Sequence, residues 1–319
     1  MRKNKINSKN WVFLFIALLL YIPLGFLQVS IDYSKKVEEL ESGLLLMPGQ
    51  VAGSLVLSGF KGLAADLLWL NIENYWHSGQ HYKMLPLLEA IAWLQPHYIN
   101  VWAVGGWHMS YNIFAEVRDA KQNLIKEYNE KVKKLSEKEK KNLQKVLAIG
   151  GRTIYLIKNL GLKKGMQEDK IPDLISEMNN YEHFLNNYRY EKNSKNAFFV
   201  ESDKQFVACV KEMLFWYTQG IEFDKKGVVY NSDRYDLYFE TGWIYYHKGM
   251  DYKNSVRYLK KAIKFPHPDY VDDCLAHAYE KNGQIDMAMK QWEKLLNTDF
   301  KNIAERAIKE LKTKGKFSP

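Results

Sequence analysis

The chain has 319 residues, of which 46% are apolar and 14% aromatic, so it can bury a sizeable core and global disorder is excluded. Its formal charge of +9 is localised: residues 1–10 carry +4 (Arg2, Lys3, Lys5, Lys9), and residues 115–170 hold 15 basic against 8 acidic side chains. A nucleic-acid interface would spread basic residues along one face with aromatics or Arg between them, so that class is set aside. The two cysteines, Cys209 and Cys274, are too few for a disulfide framework or a zinc site, and a single bridge between them stays open.

In chain order, the basic residues 1–10 precede an uncharged run, Trp11 to Val29. As a helix at about 1.5 Å per residue this run spans roughly 28 Å, close to the hydrocarbon thickness of a bilayer. No Ala-x-Ala-like cleavage site lies around Leu27–Ser30, and no cysteine is available there for lipid attachment. An uncleaved single-span anchor is therefore expected. The positive-inside rule puts the N-terminus in the cytoplasm and residues 30–319 outside it, in the plasma (inner) membrane of a bacterial-type envelope. Residues 30–59, with Gly43, Pro48, Gly49 and Gly53, read as a connector.

From about Phe60 the pattern turns helical, with Leu63, Leu67, Leu70 and Asn74 along one line and Leu68, Ile72 and Tyr75 alongside. Gly79 breaks it, and a second helix from Met84 to Leu94 ends at Pro96, which cannot continue a helix interior. Trp102, Gly106 and Met109 mark a third helix. Gly105-Gly106 there costs about 1 kcal/mol per glycine against alanine, a cost usually offset by close approach of another helix.

Residues 115–203 read as a lysine-rich helical insertion and loop. The stretch 116–149 lacks glycine and proline. It carries one thin apolar stripe at Leu124, Tyr128, Val132 and Leu135 and another at Leu143, Val146 and Leu147. Two helices with an elbow at SEKEKKN are expected, the first projecting, with the lysines on a solvated face. The stretch 159–203 reads as loop with one helix near 171–186.

Order returns at Lys204, where Val207, Val210, Leu214, Tyr217 and Ile221 keep the spacing of one buried face. After the turn GVVYNSD, Tyr238, Gly242 and Tyr245 precede a break at Gly249, and Ser255, Leu259 and Ala262 lead to Pro266 and Pro268. From Tyr270 to Phe300 two short amphipathic helices flank Gly283. Counting from Ala276, Tyr279 falls at +3, Ala288 at +12, Trp292 at +16, Leu295 at +19 and Phe300 at +24. This spacing resembles the tetratricopeptide repeat, with Ala for Gly at the first landmark, Leu for Ala at +19 and Phe for Pro at +24. Gly242 to Ala276 and Tyr245 to Tyr279 are each 34 residues, one repeat period, while Ser255 comes one residue late, as if the Gly249–Asp251 turn held an extra residue. Tyr75, Pro96, Trp102, Gly106 and Met109 fit worn copies of the same landmarks.

The resemblance implies an all-α fold: a transmembrane helix, then helical-hairpin repeats at 60–114 and 204–312 around the inserted 115–203, with a tail at 313–319. It also implies a concave groove for a peptide, lined by the face that the landmarks leave free, since about 100° per residue puts those positions on another side. That face carries Ala103, Trp107, Ser110 and Tyr111 early, then Phe239, Trp243, Tyr246 and His247, then Asp273, His277, Glu280 and Lys281. Trp107, Tyr111, Phe239, Trp243, Tyr246, His247, His277 and Lys281 are the expected binding residues.

No phosphate loop, nucleophile elbow or H-E-x-x-H occurs, so no catalytic residue, cofactor or metal is expected and the chain does not read as an enzyme. His77 and His81 have a ligand-like spacing, but Gly79 lies between them. Asp66, in an apolar helix, is expected either on the water-facing side or buried with a partner. The sequence thus reads as a membrane-anchored scaffold for a protein or peptide partner in an envelope complex, without nucleic acid and compatible with a homo-oligomer. The alternatives are a cofactor, metal or enzymatic role for the His/Trp-rich stretch 69–108, or a lipid-handling membrane protein.

Overall fold

The computed structural model describes residues 61–188 and 195–315, and these are all-helical: twelve α-helices and no strand. The expected anchor at 11–29 and the connector at 30–59 lie outside the described residues. Among the described residues no helix is long and apolar enough to cross a membrane. The chain divides into two compact units, Met1–Val101 and Trp102–Pro319.

In the first unit, α1 (Lys61–His77) and α2 (Met84–Leu94) form a hairpin. Gly79 closes it at φ +69, a left-handed conformation that a residue without a β-carbon takes without strain. Ala65 and Ile72 of α1 are buried with Met84, Leu88 and Ile91 of α2. Leu67 and Leu70, expected on the buried line, are instead 56% and 61% exposed. The helix is apolar on several sides, so periodicity alone does not choose its inner face.

The second unit starts inside α3 (Ile99–Trp107), which runs through a π-helical turn, His108–Ile113, into α4 (Phe114–Lys133). The chain then bends at residues 134–136 and starts α5 (Glu137–Asn159) at a capping box. Ser136 Oγ accepts from Glu139 N at 3.4 Å, and Ser136 N donates to Glu139 Oε2 at 2.8 Å. The elbow falls at the leading edge of the charged stretch SEKEKKN, whose residues from Glu137 on already form the start of α5. The first of the two helices does not project, however. Along α4, Phe114 and Tyr128 are buried against Phe206, Val207 and Tyr217 of α7, and Lys121 is fully buried. Lys121 Nζ donates to the carbonyls of Ile157 (3.3 Å) and Leu160 (2.5 Å), giving the C-terminal end of α5 the donors that helix ends lack. Reading every lysine of this stretch as solvated therefore fails at Lys121.

After a loop, α6 spans Ile171–Asn187, with Pro172 in its first turn. The helix expected near 171–186 is thus present. Next comes α7, Lys195–Tyr230, which begins nine residues before Lys204 and passes through GVVY, read above as a turn. Its glycines are packing sites. A β-carbon at Gly220 would lie 1.9 Å from Ser110 Oγ, and one at Gly227 would lie 2.5 Å from Trp102 Cγ. Both contacts are to the α3 segment, so the close approach expected of Gly105-Gly106 is made by α7.

Five helices complete the order: α8 (Asp236–Ile244, extended by a π turn at Tyr245–Gly249), α9 (Tyr252–Ala262), the pair α10 (Asp269–Lys281) and α11 (Ile285–Lys294), and α12 (Lys301–Lys314). The late Ser255 has its cause in the π turn. Met250 N–H donates to Tyr245 O, five residues back, so the extra residue is taken up inside the helix rather than in the loop. One core joins α4, α5, α6 and α7. The second runs through α9, α10, α11 and α12, and buries Leu259, Leu275, Ala288, Trp292 and Leu311. Within the second unit successive helices from α4 onward pack on one another, and α7 contacts both the α3 π turn and α8. The stretch from Trp102 to Phe114 thus packs on the same long helix as α8 does.

A polar strap fastens the loop before α6 to the α8–α9 turn. Met166 N donates to Gly249 O at 2.5 Å, Glu168 N to Asp251 Oδ2 at 3.0 Å, and Tyr245 OH to Glu168 Oε2 at 2.5 Å. Lys225 Nζ pairs with Glu168 Oε1 at 2.5 Å. Cys209 and Cys274 are both free thiols, so no bridge joins them.

Candidate functional site

The free faces of α3 and α8 meet in a row of aromatic rings. Trp107, 42% exposed, stacks on Tyr111 with centroids 4.1 Å apart and planes 4° from parallel. Tyr111 OH donates to the carbonyl of Trp243 at 3.2 Å, joining the two helices. Trp243 in turn stacks with Phe239 (5.6 Å) and Tyr246 (6.3 Å) and touches the His247 ring (4.0 Å). Beyond Phe239, Tyr270 makes an edge contact at 5.0 Å. Phe239, Trp243 and Tyr246 are half-buried, with their inner edges on the α9–α12 core. The row is fixed from behind and keeps part of each face open, an arrangement suited to apolar side chains at low entropic cost.

Both π turns lie within this row. Tyr111 belongs to His108–Ile113, and Tyr246 and His247 belong to Tyr245–Gly249. Such turns widen the helix locally and re-aim the side chains that follow. Ser110, expected on the open face, is fully buried against α7 instead, because α7 covers that side of the turn.

His277 is half-buried and meets the buried Trp292 edge-on at 4.9 Å. Burial, then the nearby Lys281 and His247, hold its imidazole down at about 4. At neutral pH the ring is uncharged, so its 3.8 Å approach to Asp273 Oδ1 is not an ion pair. Lys281 is exposed at the end of α10. Six of the eight expected residues thus form one connected aromatic row, while His277 and Lys281 lie outside it on α10.

Spacing placed Asp273 on the free face but did not reveal Glu240 and Asp224 behind the row. Burial pushes Glu240 up to about 7, with Asp236 adding to the shift, and it pushes Asp273 up to about 6. Asp224 is fully buried, neither of its oxygens has a hydrogen-bond partner, and burial followed by the neighbouring Glu240 raises it well above the carboxylate range. The one available signal was the Gly105-Gly106 pair, which announced a close neighbour without naming it.

The histidines weighed as ligands lie apart from this site. His77 is exposed and 3.9 Å from Glu73, and His81 packs on Trp76 at 5.0 Å. Asp66 is exposed, the water-facing alternative. Among the described residues no group of three or more His, Cys, Asp or Glu gathers as a metal site would. No protein-family model matches this chain, and no curated protein matches it.

Proposed function

We propose that this chain is a tetratricopeptide-type scaffold that binds a protein or peptide partner on the aromatic face of α3 and α8. The reading extends to a single membrane anchor at 11–29, residues 30–319 outside the cytoplasm, and a role in assembling or tethering an envelope complex. One observation carries it: the Trp107–Tyr111–Trp243–Phe239–Tyr246 row is supported by core on one side and open on the other. Half-open aromatic anchors with a fixed backing are where interface energy concentrates. The hairpin succession α8–α9, α10–α11 with its 34-residue spacing supports the repeat assignment.

The test is co-purification of partners with the full chain and with Trp243→Ala and Tyr246→Ala. Both variants should keep their helicity and lose the same partner. A partner set unchanged in both would move binding elsewhere on the molecule. Alkaline carbonate extraction addresses the anchor: the full chain should stay with the membrane, and its release into the soluble fraction would remove that part of the reading.

A further inference from the structure

On the opposite side of the hairpin, α9 presents a face of a different character. Its buried side is Ser255, Val256, Leu259 and Ala262. Along and just beyond its outer side run Lys253, Arg257, Lys260, Lys261 and Lys264, at the i, i+4, i+7, i+8, i+11 spacing of one helix face. All five line a single open cleft of about 390 Å³, which Asn282 and Gln284 of the α10–α11 turn also line. No carboxylate lines this cleft.

The concentration is unlike the rest of the described surface. Several helix lysines elsewhere meet a glutamate one turn away, as in Lys131–Glu127, Lys133–Glu130, Lys140–Glu137 and Lys314–Glu310. From Tyr252 to Ala262 there is no acidic residue, and none of the five cations makes an ion pair among the described residues. Arg257 acts electrostatically on Glu168, and that carboxylate is already held by Lys225. Like charges one turn apart destabilise a helix. An anion seated between them would offset that repulsion and accept hydrogen bonds from ammonium, guanidinium and amide groups together.

We infer that the cleft between α9 and the α10–α11 turn is a binding site for a phosphate-bearing polyanion. The site is independent of the aromatic face and of any peptide bound there. A phosphate-rich group matches it because several oxygens can be shared among five cations, and the Arg257 fork takes two at once.

Titration of inorganic tripolyphosphate into the full chain in uncharged detergent, followed by calorimetry, tests it. Wild type should bind, with affinity falling as salt rises. The triple variant Lys253→Gln, Arg257→Gln, Lys260→Gln should lose at least about tenfold in affinity. The control Lys290→Gln, Lys309→Gln, Lys312→Gln removes the same charge elsewhere and should bind as wild type does. All six positions are exposed, so folding should persist, and Arg257→Lys alone gives a second reading by weakening binding without changing net charge. Soluble dihexanoyl-phosphatidylglycerol distinguishes the source: displacement of tripolyphosphate identifies a lipid headgroup as ligand, and failure to displace it identifies a free polyphosphate. Equal affinity in wild type and the cleft variant, an equal loss in the control, or no binding by wild type would each overturn the assignment.

Discussion

Gly106 faces the carboxylate of Asp224 so closely that a β-carbon on residue 106 would lie 2.0 Å from Oδ1 and 2.6 Å from Cγ. In most helices Gly→Ala is stabilising by about 1 kcal/mol. Here Gly106→Ala is expected to destabilise by about 2–4 kcal/mol, because α7 must move away from α3. Chemical denaturation of Gly106→Ala, Asp224→Ala and the double variant checks this. The double variant should be more stable than the sum of the singles predicts, and strict additivity would show that the two residues do not meet.

Asp224 also sets a pH dependence. Its folded-state proton affinity is raised, so between about pH 4 and its folded pKa the native chain holds a proton that the unfolded chain has released. Stability contributed by this site is therefore highest below pH 4 and falls as pH rises. Asp203 and Asp273, pushed up to about 6, and Glu240, pushed up to about 7, act in the same direction over a narrower window. Asp224→Asn keeps the shape without the ionisation and should raise Tm, by more at pH 8 than at pH 5. A gap that stays constant with pH would refute this account.

Lys121 is expected to be costly to replace although it is a lysine in a lysine-rich helix. Lys121→Met preserves much of its volume but strands the carbonyls of Ile157 and Leu160, a loss of about 1–3 kcal/mol. Burial lowers the Lys121 ammonium to about 8. The unfolded chain therefore binds the extra proton between about pH 8 and 10.5, and this residue's contribution to stability rises with pH across that interval. Denaturation of Lys121→Met beside Lys126→Met, a lysine of the same helix with a less buried side chain, separates the buried role from loss of charge.

The strap at Glu168 should couple measurably to the π turn. Glu168→Gln and Tyr245→Phe each remove part of one hydrogen-bonded set, and a double-mutant cycle is expected to show coupling of about 0.5–2 kcal/mol. The Lys225 partner is partly solvated and adds little. Zero coupling would mean that the loop rests on the turn without being held by it.

The pattern of the C-terminal half was legible because its landmarks are packing positions. Ser255, Leu259, Ala276, Tyr279, Ala288, Trp292 and Leu295 are all buried, and Gly283 takes the positive φ that its turn needs. The aromatic row was legible for the complementary reason, since rings left off the landmark face must point elsewhere. Gly227 misled, because a glycine that lets two helices approach looks in sequence like one that ends a helix. The π turns had no compositional mark beyond a one-residue slip at Ser255. Lys121 and Asp224 were hidden by their types, as charged residues are assigned to water until a neighbouring helix is seen to cover them.

The strap and the shared core also govern how this protein can be dissected. Cutting at the limits that the repeat pattern suggests, to leave 204–312, would strip from α7 the α4 and α6 side chains that cover Phe206, Val207 and Val210, and would leave Tyr245 without Glu168. Such a piece would carry every landmark of the repeat and still present an oily flank to water. Here the inserted segment is a supporting wall, and the recognisable half does not stand without it.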